Sequence, residues 1–167
     1  MGVFLWVKFN LGVYCCFGFA DNRTTGMETI TAWLSGSSLH SRTGYIRHGV
    51  QYNNGRLIAP VNGSYLIHSY LELYENYRLR NKTGKLHGNS DTIKHATYKY
   101  NVVDGRETEL VNITYSRGMS SNGRFNYISS YISTVVELRA GDEVCVKISN
   151  ILLLTSPDEN FFGINLV

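Results

Sequence analysis

The closing stretch from Ser129 to Val167, SSYISTVVELRAGDEVCVKISNILLLTSPDENFFGINLV, constrains the fold more than any other part of the chain. It reads as two alternating strands around a tight Ala140-Gly141-Asp142 turn, then a loop, then a strand through Phe161-Phe162-Gly163-Ile164. A segment so rich in aromatic and branched residues has to be covered. The expectation is a final strand in the middle of a sheet rather than at its edge.

From about residue 29 onward the chain consists of short alternating runs divided by Asn54-Gly55, Asn62-Gly63, Asp104-Gly105 and Asn122-Gly123. Such dipeptides suit the left-handed backbone of two-residue hairpin turns. No amphipathic helix longer than about two turns is visible. In Ser64 to Tyr74, the residues Tyr65, Ile67, Leu71 and Leu73 share one face, and Leu66, His68, Tyr70 and Tyr74 share the other. Tyr127 to Leu138 is equally two-faced, with Ile128, Ile132, Val136 and Leu138 alternating with Tyr127, Tyr131 and Val135. One face can fill a sandwich core. The other needs a second cover, and in an all-β chain without helices the available cover is another copy of the protein. About ten strands are expected, near 29–35, 43–47, 49–53, 56–59, 64–74, 93–102, 107–116, 127–138, 143–150 and 160–167. That number suits an all-β, ten-stranded jelly-roll sandwich better than a seven-stranded immunoglobulin sandwich.

At 167 residues the chain fits one domain, and twelve Tyr and seven Phe against two Pro favour strands. The net charge of +3 is small and scattered. Its tightest basic cluster, Arg78, Arg80, Lys82 and Lys85, reads as a solvated loop, so no nucleic-acid partner is expected. The first twenty residues are apolar apart from Lys8 and Asn10. Residues 1–20 are read as a secretory signal, an uncleaved signal anchor giving membrane association, or an incomplete chain start. Residues 21–28 read as a linker and 29–167 as the folded domain.

Asn-x-Ser/Thr sequons at Asn22, Asn62, Asn81 and Asn112 favour a secreted route, with Asn22, Asn81 and Asn112 as the glycosylation candidates. Asn62 lies in a tight turn. Cys15 and Cys16 belong to the apolar N-terminal segment, which leaves Cys145 as a small hydrophobe on a strand.

Chemistry is not written in this chain. His40, His48, His68, His87 and His95 are dispersed without His-x-His or His-x-x-x-His spacing, and no nucleophile elbow, phosphate loop or dinucleotide fingerprint occurs. No catalytic residue, metal or cofactor is expected. His68 has a plain reading as an amphipathic side chain at a subunit contact. A three-fold axis would bring three copies together, a geometry able to hold a metal or respond to pH.

Several ordered pieces resemble the tumour necrosis factor homology domain. Gly49-Val50-Gln51-Tyr52, Gly55-Arg56-Leu57-Ile58-Ala59-Pro60 and Gly63-Ser64-Tyr65-Leu66-Ile67-His68-Ser69 are similar to that domain's strand, turn, L-V-x-P and G-x-Y-x-(I/V)-Y-S succession. Ala32-Trp33-Leu34 resembles its opening strand, Leu138 to Val146 its Gly-Asp turn, and Phe161 to Ile164 its closing (Y/F)-F-G-(I/L) strand. The likeness runs over residues 29–167. It implies a homotrimeric jelly roll, secreted or anchored at the cell surface as a type II membrane protein, that binds cysteine-rich receptors in the grooves between subunits.

By position, the resemblance places Leu66, His68, Tyr131, Phe161, Asn165 and Val167 at the trimer interface. Phe162, Ile164 and Leu166 then face the core, while Phe161, Gly163, Asn165 and Val167 face neighbouring subunits. His68 departs from the Tyr usual in the family. Receptor contact is implied for residues 101–109 and 37–45, with Val102, Val103, Asp104, Arg106, Arg42 and Tyr45 as the candidates. Val103 stands where many members present a Tyr.

Two other readings share parts of this pattern. The globular complement-type domain is also a trimeric jelly roll, but it usually follows a Gly-x-y repeat and prefers Phe-(S/T)-Gly at its end. A lectin-like or capsid-like jelly roll would show calcium ligands, for which Asn89 and Asp91 are too few.

Overall fold

The computed structural model describes residues 7–9, 26–31, 33–34, 49–76, 92–116, 125–154 and 160–167. Two antiparallel sheets form a sandwich. The strands are β1 (Val7–Phe9), β2 (Glu28–Thr29), β3 (Trp33–Leu34), β4 (Gln51–Asn53), β5 (Arg56–Ile58), β6 (Gly63–Asn76), β7 (Thr92–Asn101), β8 (Arg106–Ser116), β9 (Phe125–Leu138), β10 (Glu143–Ile148) and β11 (Phe161–Leu166). One sheet runs β3-β1-β11-β6-β9, and the other runs β4-β5-β10-β7-β8 with β2 also paired to β10. Among the described residues the helical content is a single 3₁₀ turn at Ile151–Leu153.

The closing strand lies inside its sheet. β11 pairs with β6 from Phe161↔Tyr70 to Leu166↔Tyr65, and on its other side with β1 at Val7↔Phe162 and Lys8↔Phe161. Phe162 and Ile164 are buried in the core, as their alternation requires. Leu166 departs from that expectation. It is 38% exposed, because the sandwich runs out at the strand end and the side chain rests over the open backbone of Gly63.

The core is built from inward-pointing residues of both sheets. Tyr65, Ile67, Leu71 and Leu73 of β6 and Phe162 and Ile164 of β11 face Leu57 of β5, Ile93 of β7 and Val144, Val146 and Ile148 of β10. Trp33 packs on Phe162 with ring centroids 5.6 Å apart. The longest ladder joins β6 to β9, from Gly63↔Leu138 to Asn76↔Phe125.

Eleven strands occur among the described residues against the ten expected: two differences each add a strand, and one expected strand falls outside those residues. The expected strand at 29–35 is split, since Glu28–Thr29 pairs with β10 while Trp33–Leu34 pairs with β1 in the opposite sheet. Between them the chain crosses the sandwich, with Ile30 N donating to Val146 O at 3.0 Å. The Asn54-Gly55 turn holds this crossing in place. Both residues have positive φ, 43° and 87°, and a Cβ at Gly55 would stand 2.5 Å from Ile30 O. The second difference is β1, drawn from the apolar segment that reads as a leader. The expected strand at 43–47 lies outside the described residues.

A polar cluster sits in the core. His95 of β7 is fully buried, with Nε2 3.0 Å from Ser69 Oγ of β6 and Nδ1 2.7 Å from Ser130 Oγ of β9. It ties one sheet to two adjacent strands of the other. A hydroxyl both donates and accepts, so both ring nitrogens are satisfied in either tautomer. Burial away from water lowers the imidazole pKa to about 3.

Two outcomes follow from this packing. Phe162→Ala removes the ring at the centre of the core and is expected to cost about 3–5 kcal/mol, read as a lower urea midpoint. His95 takes up its proton in the unfolded chain near the ordinary value but resists it when folded. Its contribution is therefore fully present above about pH 6.5 and is lost as pH falls toward 3, by about 1.4 kcal/mol per pH unit. Urea midpoints between pH 7 and pH 4 should fall more steeply for the native chain than for His95→Gln, and equal slopes would refute this role.

Candidate functional site

Three surfaces are built from the strands and turns just described. The first is the outer face of the sheet that carries the closing strand. Register places Phe161, Tyr70 and Tyr131 in one row, Gly163, His68 and Ser133 in the next, and Asn165, Leu66 and Val135 in a third. Tyr70 stacks on Phe161 at 5.4 Å and 16°, and Tyr74 meets Tyr127 at 4.9 Å. Gly163 offers no side chain opposite His68, whose ring meets Phe161 edge to face at 6.4 Å.

Toward β9 this face is open. Tyr127, Tyr131 and Val135 are 72%, 51% and 58% exposed, large for apolar side chains in one row of a strand. Of the six residues placed at an interface by the sequence, Tyr131 and Val167 are exposed and Leu66 and Phe161 are half-buried. His68 and Asn165 are already buried within the single chain. Tyr127 and Val135 belong to the same face; strict alternation with Tyr131 was their signal.

The second surface is the outer face of the other sheet, and it is closed by its own charges. Lys147 of β10 binds Glu107 of β8 and lies 4.7 Å from the centre of the Tyr98 ring. Arg56 of β5 bridges Glu107 at 3.1 Å and Glu143 at 3.4 Å, and Lys94 reaches Glu109 at 2.7 Å. Tyr98 donates its hydroxyl to Glu109 at 2.6 Å. Hydrogen bonds, that of Lys94 first, hold the Glu109 carboxyl below its ordinary pKa, and burial followed by the acidic neighbours raises that of Tyr98. Beneath this cover the Cys145 thiol is fully buried and pushed up to about 11, chiefly by desolvation. It is a packed, unreactive group.

The third surface is one end of the sandwich, where three turns converge. In the β7–β8 turn, Asn101 Oδ1 accepts from Val103 N at 2.8 Å and Asp104 N at 3.2 Å. This fold-back leaves Val102 and Val103 45% and 73% exposed, beside exposed Asp104 and Arg106. In the β9–β10 turn, the buried Asp142 carboxylate accepts from Arg139 N at 2.9 Å and pairs with Lys99 at 2.8 Å. Asn62 Oδ1 accepts from Ala140 N at 2.8 Å. Asn62, Lys99, Asn101, Glu137 and Arg139 line a cavity of about 360 Å³ between these turns. No spacing in the sequence foretells this cavity, since its residues come from separate turns and only the fold brings them together.

Arg42 and Tyr45 lie outside the described residues, as do Asn22 and Asn81. Asn112 is exposed on β8, with its amide nitrogen donating to Glu109 at 2.6 Å. No group of three or more His, Cys, Asp or Glu able to hold a metal occurs among the described residues.

A two-sheet antiparallel sandwich with an interior closing strand, one open aromatic face and one self-neutralised face is consistent with a jelly-roll domain. A model of the TNF (Tumour Necrosis Factor) family matches residues 37–167, and the chain belongs to that family, whose members are cytokines rather than enzymes. A search of curated proteins found no match.

The ionic cover supplies a test. Glu107→Ala leaves the buried Lys147 ammonium and one arm of Arg56 without their carboxylate. It should cost about 3 kcal/mol by urea denaturation and make Cys145 react faster with a thiol reagent. An unchanged midpoint would show that the cover contributes no stability.

Proposed function

We propose that this protein is an extracellular cytokine ligand that assembles as a homotrimer through the aromatic face and binds cysteine-rich receptors of the tumour necrosis factor receptor family in the grooves between subunits. The observation that carries this reading is the exposed row of Tyr127, Tyr131 and Val135 on an otherwise aromatic sheet face. Burial of each such side chain contributes about 1.5–3 kcal/mol, and threefold symmetry repeats each contribution in every subunit.

Leu66, Phe161 and Val167 join this contact, and His68 and Asn165 support it from within the chain. The exposed turn Val102–Arg106 contacts receptor, with Val103 as the apolar anchor and Arg42 and Tyr45 as partners from the loop that follows the opening strand. The action is geometric. One trimer gathers several receptors and raises their local concentration, so that an extracellular contact becomes an intracellular signal.

The ligand reaches the cell surface by secretion or as a type II membrane protein, with Asn22, Asn81 and Asn112 accepting glycans. No observation favours the complement-type reading.

Light scattering on the chain should give the mass of a trimer at micromolar concentration. Tyr131→Arg places guanidinium groups together where the aromatic faces meet and is expected to leave monomers. A native chain that is monomeric would refute the assembly, and a Tyr131→Arg variant that remains trimeric would move the contact to another surface.

A further inference from the structure

The cavity at the end of the sandwich has an unbalanced chemistry. Its two amide oxygens accept from the backbone, Asn62 Oδ1 from Ala140 N and Asn101 Oδ1 from Val103 N and Asp104 N. What remains is an NH₂ group at each and one acceptor site on Asn62 Oδ1. Lys99 gives two of its three protons to Asp142 and to the Glu137 carbonyl, 2.8 and 2.9 Å away, which leaves one. Arg139 also lines the cavity, and the hydrogen bond that ties this exposed residue to Asp142 is made by its backbone N–H, which leaves its guanidinium to other partners. The Glu137 carboxylate, the acidic group of the lining, accepts the Ser64 hydroxyl. Donors therefore outnumber acceptors.

The cavity also has a neighbour. Val102 packs toward the Gly141 backbone, where an added Cβ would lie 3.3 Å from its side chain, so the exposed Val102–Val103 tip stands next to the mouth. A donor-rich cavity beside an apolar tip is complementary to a carboxylate beside an apolar side chain.

We infer that the Asn62–Lys99–Asn101–Arg139 cavity is a carboxylate-binding subsite that receives an Asp or Glu side chain of the partner protein while an adjacent apolar residue of that partner covers Val102 and Val103. The inference rests on the receptor-binding reading above and adds to it which chemistry the partner brings. Arg139 supplies a planar pair of donors, the two amides complete the cradle, and Lys99 supplies charge from the wall. Asn62 is also the acceptor of an Asn-x-Ser sequon, and a glycan on its amide nitrogen would occupy the same space.

The test uses isotope-labelled, bacterially produced chain, which carries no glycan, and two blocked dipeptides, N-acetyl-Glu-Leu-amide and N-acetyl-Gln-Leu-amide. The acidic peptide is expected to shift the side-chain amide signals of Asn62 and Asn101 at millimolar concentration, and the neutral one to do so at least tenfold more weakly. Arg139→Gln is the diagnostic variant, because Lys99 also holds Asp142 and its replacement endangers the fold. In Arg139→Gln the affinity for the acidic peptide should fall at least tenfold with the urea midpoint unchanged. Equal shifts from both peptides, no shift at Asn62 and Asn101, or unaltered affinity in Arg139→Gln would each overturn the inference. Stronger binding of a heparin oligosaccharide than of the acidic peptide would also overturn it, by making the cavity a polyanion site. Capture of cysteine-rich receptor ectodomains separates the two readings. Capture that is equal for the native and Arg139→Gln chains sinks the subsite and leaves the receptor reading intact, whereas peptide binding without any receptor capture does the reverse.

Discussion

Everything else in this molecule is arranged around backbone pairing on both edges of the strand Phe161–Leu166. β6 pairs with it along its whole length and β1 with its first two residues, Phe161 and Phe162, and side chains must leave alternately above and below. Phe162 and Ile164 go into the sandwich, and Phe161 goes to the opposite face, where Tyr70 stacks on it. The two-sidedness of β6 and β9 has the same origin, because both lie in the same sheet and share its pleat. A one-residue slip of the closing strand would exchange its two sets of side chains and empty the core of Phe162. The long β6–β9 ladder and the Val167 N–H donating to Ser64 O at 2.9 Å hold the register against that slip.

Much of this is legible in the sequence. Alternation in Ser64–Tyr74 and Tyr127–Leu138 separates core from outer face correctly, because a pleated strand has only two sides. Asn54-Gly55 marks a turn for a steric reason that holds in any context, and the positive φ of both residues agrees. The division of 29–35 was not readable. Periodicity assigns faces within a strand but carries no signal for the point at which a chain changes sheets, and Ile30 looks like a strand residue while making its hydrogen bond in the crossing. β1 was hidden for another reason: an apolar run near a chain start has the composition of a leader whether or not it pairs.

The sites show the same division. Tyr131 announces itself because a large aromatic on the second face of a strand needs a cover. Ser69, His95 and Ser130 give no such notice; each is an ordinary polar residue in its own strand, and only the packing of the two sheets places them within hydrogen-bonding distance. The cavity of Asn62, Lys99, Asn101 and Arg139 is more remote still from the sequence, since it depends on one hairpin end and two connections that cross between the sheets. The candidates Val102 and Val103 were found through a family resemblance, and their exposure follows from the Asn101 side chain folding the turn back on itself.

The ionic cover on the second sheet has a consequence for how copies of this chain can meet. A sandwich with apolar residues open on both outer faces could stack without limit, each copy offering a fresh face to the next. Here Arg56, Lys94, Lys147, Glu107, Glu109 and Glu143 neutralise one another across four strands, and an incoming apolar surface would have to strip water from ions already paired. Face-to-face growth therefore has one adhesive side and one terminating side. Association through the aromatic face, as proposed above, would then end in a finite particle rather than a filament.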